Sequence, residues 1–469
     1  MTVEDVLWSF RTLGEQGHPR YRGAWAKVAT ATATGPRSVR FTFNTADREL
    51  PLILGLRPIL KKAQWEGRDF AQSGLEAPIG TGPYVIADYE PGRYLTLRRD
   101  PDYWGRDLPF NRGQNNLDEI RYEYFGDGDV LFEAFRGGVT DVYREANAAK
   151  WDSAYDFPAV ASGDIVKAEI PHQRPSGIHG LVMNTRRPVF ADWRVRDALI
   201  HAFNFEFINA TLTGGTQPRI RSYFSNSALG MRDGPAEGRV RALLAPYADS
   251  LLPGAMEGYA LPVSDGRPSN RKNLRKAFAQ LEAAGWTVAS DGVLRNAQGA
   301  PFTFDILLRQ GETERQKIVD IFVEGLKRLG IAPRITLVDS AQYTQRTDAY
   351  DFDMTFYIRA LSLSPGNEQR LYWGAEGVTE PGTRNWMGMA SPAADAMIDA
   401  ILTAETHDDF IAATRALDRV LTTGRYVIPI WYSPVSRLAY RKRLHYPETL
   451  PIYGDWTGFL PDIWWAEPE

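Results

Sequence analysis

A chain of 469 residues carries 54 Lys+Arg against 58 Asp+Glu, a net charge of −4, with 43% hydrophobic residues and no cysteine. Such a balance gives no overall polyanion-binding charge, so no nucleic-acid partner is expected, and the missing cysteine excludes disulfides, thiolate metal sites and thiol catalysis. No apolar run approaches the ~20 residues of a membrane-spanning helix, and the length suffices for two or three domains around a large core.

The chain opens inside a helix. Thr2 and Asp5 are spaced as a capping pair, Val3, Val6, Leu7 and Phe10 repeat at i, i+3, i+4 and i+7, and Gly14 is expected to stop it. Residues 40–43, 84–86, 94–98 and 121–125 read as strands. Glu90-Pro91-Gly92-Arg93 is a turn between two of them, with proline second and glycine third. Just upstream, Gly80-Thr81-Gly82 raises the possibility of a phosphate cradle. Pro83 follows with no N–H to offer, and a β-rich run comes next instead of a helix, so the glycines read as a corner.

Further along, Leu131, Ala134 and Phe135 mark a short helix that stops at Gly137-Gly138, and "VTDVY" returns as a strand. A helix is expected over 192–212, a loop-like stretch over 231–269, and a second helix over 270–284. Residues 302–308 form a strand, Ile318, Phe322, Leu326 and Leu329 one helical face, Gly330 a cap, and 335–338 the next strand. After a strand at 351–357, helices are expected over 392–403 and 407–423. Alternation of this kind argues for α/β layering with helices packed on sheets.

Catalytic signatures are missing: there is no G-x-S-x-G and no H-E-x-x-H. His172 and His179, seven apart, read as solvated loop histidines rather than metal ligands, and Asp351 and Asp353 as a charged strand edge rather than a catalytic pair. Several aromatics stand in polar loops: Tyr103, Trp104, Trp373, Trp386, Trp431 and Trp456. They suit a cleft for a long polar ligand, with core packing as the other reading.

Taken in order, "TVEDVLWSF", "GTGPY", "RDPDYWG", "EAFRGGVTD", "MNTRRPVFADWRVRDALIHAFN" and "YDFDMTFY" resemble the family 5 extracellular solute-binding proteins, the peptide and nickel receptors of ABC importers. "SPGNEQRLYW", "ALDRVL" and "YVIPIWY" are most similar to the branch associated with microcin C and longer oligopeptides. The resemblance implies a two-lobed α/β fold of the periplasmic-binding-protein type II kind, with mixed sheets flanked by helices. It assigns 1–179 to the remainder of lobe I with its inserted subdomain, 180–440 to lobe II, and 441–469 to a return to lobe I. Family members carry a leader and the first lobe-I strands ahead of the opening helix, so an incomplete first lobe and an upstream coding segment are expected.

By the same resemblance the protein is no enzyme and needs no cofactor or metal. It is expected to capture oligopeptides in the periplasm as a monomer and pass them to permease subunits at the membrane. The family's amine-binding aspartate aligns near Leu361, where no acid stands, and Glu368 is the nearest candidate. The binding residues expected are Asn184, Arg186, Arg359, Asn367, Glu368, Gln369, Trp373 and Trp431. Arg186 or Arg359 would pair with a C-terminal carboxylate, Glu368 would accept from an ammonium, and the two tryptophans would stack on the ligand. An oligosaccharide receptor of the same family is one alternative. A glycoside hydrolase is the other, and would need two carboxylates facing across the cleft.

Overall fold

The computed structural model describes residues 1–467 apart from Arg48, Ser73 and Thr457. Its largest sheet has five strands in the order Arg334–Val338, Asp305–Arg309, Met354–Arg359, Ile178–Met183, Val427–Pro429. The first three run parallel to one another, and Ile178–Met183 lies antiparallel to both its neighbours. Side-chain alternation explains why the central strands carry apolar residues on both faces. Leu181, Met183, Ile306, Leu308 and Phe356 face one buried cluster, whereas Val182, Leu307 and Tyr357 face a second on the opposite side. Gly180 is required at its place, because a Cβ there would sit 2.0 Å from the Ile428 carbonyl oxygen of the adjoining strand.

Helices cover both faces. Trp193–Ala202, Arg271–Ala283 and Thr313–Lys327 pack on the first, and Pro392–Thr403 with His407–Thr423 on the second. The last two match their expected ranges, each opened by a side-chain cap from Ser391 or Thr406. The helix expected over 192–212 is broken instead. It ends at Ala202, Phe203 is extended, and a second helix runs Phe205–Thr213. The cause is tertiary, since the Asn204 amide donates to the Arg267 carbonyl and its oxygen accepts from the Ser264 hydroxyl.

The stretch over 231–269 is less irregular than expected, because it holds a helix at Gly238–Leu244 and a 3-10 turn at Ala245–Ser250. Its start is moored by Asp418, a fully buried carboxylate on the His407–Thr423 helix. Asp418 accepts from the backbone N–H groups of Tyr223 and Met231, each at 2.8 Å, and of Phe224 at 3.4 Å. Burial pushes its carboxyl up to about 6, against the opposing pull of those hydrogen bonds.

The N-terminal part carries smaller sheets. Thr2 and Asp5 form the capping box, but the helix runs Val3–Gln16 through Gly14, which stays helical because the Trp25 ring lies against its bare Cα. The expected turn holds the Tyr84–Glu90 and Tyr94–Arg99 hairpin, with Gly92 at φ +78° and Arg93 N–H bonded to the Glu90 carbonyl. Another three-stranded sheet orders Val142–Glu145, Val435–Arg441 and Ile165–Pro171, all antiparallel. The strand that returns to the N-terminal sheets therefore starts at Val435, inside the range 180–440. Two chain segments, 172–177 and 430–434, join this sheet to the five-stranded one, and they touch where His172 N–H meets the Pro434 carbonyl.

Candidate functional site

Beyond the strand Met354–Arg359 the chain turns through Ser364-Pro365-Gly366 and opens the short helix Glu368–Trp373. The turn is pressed against the N-terminal part of the chain. Asn367 is the meeting point: its backbone N–H and its side-chain amide both donate to Glu49 Oε2 at 3.0 Å, and the amide also donates to Asp47 Oδ2 at 3.1 Å. Lys27 Nζ donates at 2.7 Å to both Asn367 Oδ1 and Asp47 Oδ2. Gly366 has to be bare, because a Cβ would come within 2.2–2.5 Å of the Glu49 carboxylate. Both oxygens of Glu368 accept from the Gly366 N–H at 3.1 Å.

Three carboxylates, Asp47, Glu49 and Glu368, thus converge on Gly366-Asn367 with Lys27 as the ammonium among them. Their charges show it. Burial raises the Glu368 carboxyl, hydrogen bonds from Gln369 and Gly366 oppose this, and the negative charge of Glu49 raises it further. Burial also acts upward on Asp47, but the hydrogen bonds from Lys27, Glu49 and Asn367 outweigh it and hold that carboxyl below its ordinary value. Behind Glu368 stands a positioning relay. Gln369 donates to Glu368 Oε1 at 3.0 Å, and Trp373 Nε1 donates to Gln369 Oε1 at 2.6 Å.

Arg359, at the strand's end, lies over the rings of Tyr357 at 5.3 Å and Tyr372 at 5.0 Å. Its Nε has no hydrogen-bond partner, and among the described residues it joins no ion pair. Tyr372 senses both signs. Burial raises its hydroxyl most, the Arg359 charge opposes this, and the Glu368 charge adds to it. A cation and an acid cluster therefore flank one tyrosine.

The structure brings Arg359, Asn367, Glu368, Gln369 and Trp373 together and puts Asn184, Arg186 and Trp431 elsewhere. Asn184 is fully buried; its amide donates to the carbonyls of Tyr350 and Phe352, and its oxygen accepts from Arg186. Arg186 donates to the carbonyls of Gly377, Val378, Asn385 and Trp386, which makes it a clamp on that loop rather than a free guanidinium. Trp373 and Trp431 are no stacking surfaces. They are 0% and 6% exposed, and Trp431 packs on Phe205 within the sheet's core. Of the remaining loop aromatics, Trp104 is exposed and Trp456 lies against the Arg174 guanidinium.

Asp351 and Asp353 form the charged edge expected of them, since Arg187 pairs with both, at 3.3 and 2.9 Å. His179 is a strand residue and not a solvated one; burial and the nearby Arg315 hold its ring down to about 3. Among the described residues no group of three or more His, Asp or Glu is placed to hold a metal ion. A cavity of about 790 Å³ lies apart from the seam, on the hairpin part of the chain, lined by Arg98 and Arg99 with their partners Glu119 and Asp118.

Lys27, Asp47, Glu49 and Tyr372 escaped the sequence reading. Two acids flanking one residue in "NTADREL" were the available signal, and nothing in their spacing ties them to a turn some 320 residues later.

Comparison with known proteins places this architecture. Residues 1–378 match the model of the bacterial extracellular solute-binding proteins, family 5 Middle. In Agrobacterium fabrum (strain C58) the chain is similar to the "Peptidoglycan-binding protein YepA", 39% identical over 99% of this chain and 76% of that protein. It is also similar there to the "Probable peptide-binding protein YejA", 38% identical over 99% and 76%. Among solved structures, the oligopeptide-binding protein AppA from Bacillus subtilis in complex with a nonapeptide superposes with a TM-score of 0.77, covering 100% of this chain and 84% of that one. At 18% identity this likeness shows a shared fold, the two-lobed α/β one. With residues 1–378 of its 469 matched by the family's model, the chain belongs to the bacterial extracellular solute-binding proteins, family 5, the solute-capturing components of ABC importers.

Proposed function

We propose that the protein captures oligopeptides between its lobes, without transforming them, and hands them to the permease subunits of an importer from the periplasmic side. One observation carries this reading. Asp47, Glu49 and Glu368 converge on Gly366-Asn367, while across Tyr372 the Arg359 guanidinium has no carboxylate partner among the described residues. A peptide with free termini brings an ammonium for the acids and a carboxylate for Arg359. The peptide backbone between its ends would pair in strand fashion, with bridging waters taking up differences in side chain. The names of the two Agrobacterium relatives, one a peptidoglycan-binding and one a probable peptide-binding protein, support a peptide-containing ligand.

The lobes divide at the two connections. We place lobe II between 172–177 and 430–434, and the remainder, including the Val435–Arg441 strand, in lobe I. Those connections are the hinge, and the seam at Asn367 closes over the ligand as the lobes approach.

A mixed library of short peptides, incubated with the protein and recovered by gel filtration and mass spectrometry, tests the reading. Intact peptides with free amino termini are expected to co-elute and to raise the melting temperature. Recovery of cut peptides, with turnover that survives repurification, would overturn it. Retention of oligosaccharides and of no peptide would favour the sugar-binding alternative.

A further inference from the structure

The second lobe carries a feature that peptide capture does not use. Between Asp265 and Glu282 the chain has five basic residues and no acid, although the whole chain is net negative. Four of them, Arg271, Lys272, Arg275 and Lys276, lie on the helix Arg271–Ala283 at i, i+1, i+4 and i+5, all exposed. The helix buries Asn273, Leu274, Ala277 and Leu281, so the basic residues form its opposite face. Arg328 adds to the patch by reaching over from the neighbouring helix's end to the Pro268 carbonyl at 3.0 Å. Arg267 approaches Asp265 at 4.0 Å; among the described residues the four helix cations join no ion pair.

Local chemistry argues against this arrangement as a stability device. Arg271 and Lys272 stand in the first turn, where the helix dipole favours acids. That turn holds no acid, and Asn270 makes no side-chain cap. The Asn270 amide is turned away to the His201 carbonyl. Two unpaired cations against the positive end of a helix, with two more one turn on beside them, are a local cost without a local gain, which is the mark of a site whose partner is elsewhere. The face also lacks the exposed Trp or Tyr anchors around which protein interfaces build their energy. At its rim one apolar side chain is exposed: Val263, at 71%, in a loop held to the helix by Asn273.

We propose that this face is a docking surface for an anionic phospholipid bilayer. The four cations lie over the headgroup phosphates, and Val263 enters the headgroup layer beside them. Attraction of this kind is electrostatic, additive over the charges, and falls off within a Debye length of about 8 Å at physiological salt. It holds the second lobe near a membrane without fixing a single orientation.

Vesicle sedimentation tests it. The protein is expected to pellet with vesicles of phosphatidylglycerol and phosphatidylcholine in equal parts, to stay in solution with phosphatidylcholine alone, and to be released by added salt. Arg271→Gln, Lys272→Gln, Arg275→Gln and Lys276→Gln combined should lower partitioning by roughly a hundredfold or more. Arg271→Lys with Arg275→Lys, which keeps the charge, should leave it nearly unchanged. All four side chains are exposed, and an unaltered melting curve verifies folding. Failure of the unmodified protein to pellet with the anionic vesicles at low salt overturns the proposal, as does equal pelleting of the four-fold variant. Retention on immobilised polyglutamate but not on the anionic vesicles overturns it too, and assigns the face to an acidic protein.

Discussion

Asp418→Ala is expected to remove about 3–5 kcal/mol of folding stability at mildly acidic pH, read from urea unfolding curves. The carboxylate answers three backbone N–H groups at the start of the long connecting stretch. Each buried donor left without an acceptor costs ~1–3 kcal/mol, and water cannot enter a site this enclosed without opening it. The pH dependence has a definite sign. The folded value is about 6 against 3.8 for the free group, so the stabilisation from protonation is complete below ~4 and is lost as pH rises through 6. The gap between the unmodified protein and the alanine variant should therefore narrow from pH 4 to pH 7. A gap that widens over that range would show that the hydrogen bonds, rather than burial, set the charge of Asp418.

The second large effect is expected in binding. Glu368→Gln keeps the shape of the side chain and removes its charge, and Glu49→Gln does the same from the other side of Gly366. Charge-assisted hydrogen bonds contribute ~1.5–3 kcal/mol, so either change should weaken a peptide with a free amine roughly tenfold to a hundredfold. The N-acetylated peptide already lacks that contact and should respond little. Calorimetry on the four combinations for each residue gives the coupling directly. Burial and Glu49 raise the Glu368 carboxyl and an arriving ammonium lowers it again, so binding shifts its titration toward lower pH. Where the empty site's carboxyl is part-protonated, free-amine peptides should then bind with proton release, and more weakly as pH falls. Equal losses for free and acetylated peptides would remove Glu368 and Glu49 from the amine's recognition.

What the sequence made legible follows how local each signal is. The helices Pro392–Thr403 and His407–Thr423 carry their own caps and apolar stripes, so their ends were readable to the residue. The Gly92 turn announces itself through one dipeptide. By contrast, the break after Ala202 depends on Arg267 and Ser264, sixty residues away, and helical Gly14 depends on Trp25. In the candidate site, Asn367 and Glu368 could be singled out together because one segment holds both. Asp47 and Glu49 were missed because folding alone brings them there. Trp373, Trp431, Asn184 and Arg186 show the reverse failure. Polar surroundings in sequence do not mean a polar surface, since a buried arginine can be satisfied wholly by carbonyls.

The strand Ile178–Met183 lies in the five-stranded sheet between Met354–Arg359 and Val427–Pro429. Its partners are made roughly 170 and 240 residues after it. During synthesis, then, "IHGLVM", nearly all of whose side chains are apolar, waits with both edges unpaired until Met354–Arg359 is made, and with one edge open until the last tenth of the chain emerges. Pairings this distant in sequence close slowly, and an open apolar strand is a template for pairing with another molecule. A chain interrupted between 360 and 426 would have most of the second lobe's residues but not the strand that closes this edge. It should accumulate as aggregate, and nascent chains of that length should depend on a holdase until Val427–Pro429 seals the sheet.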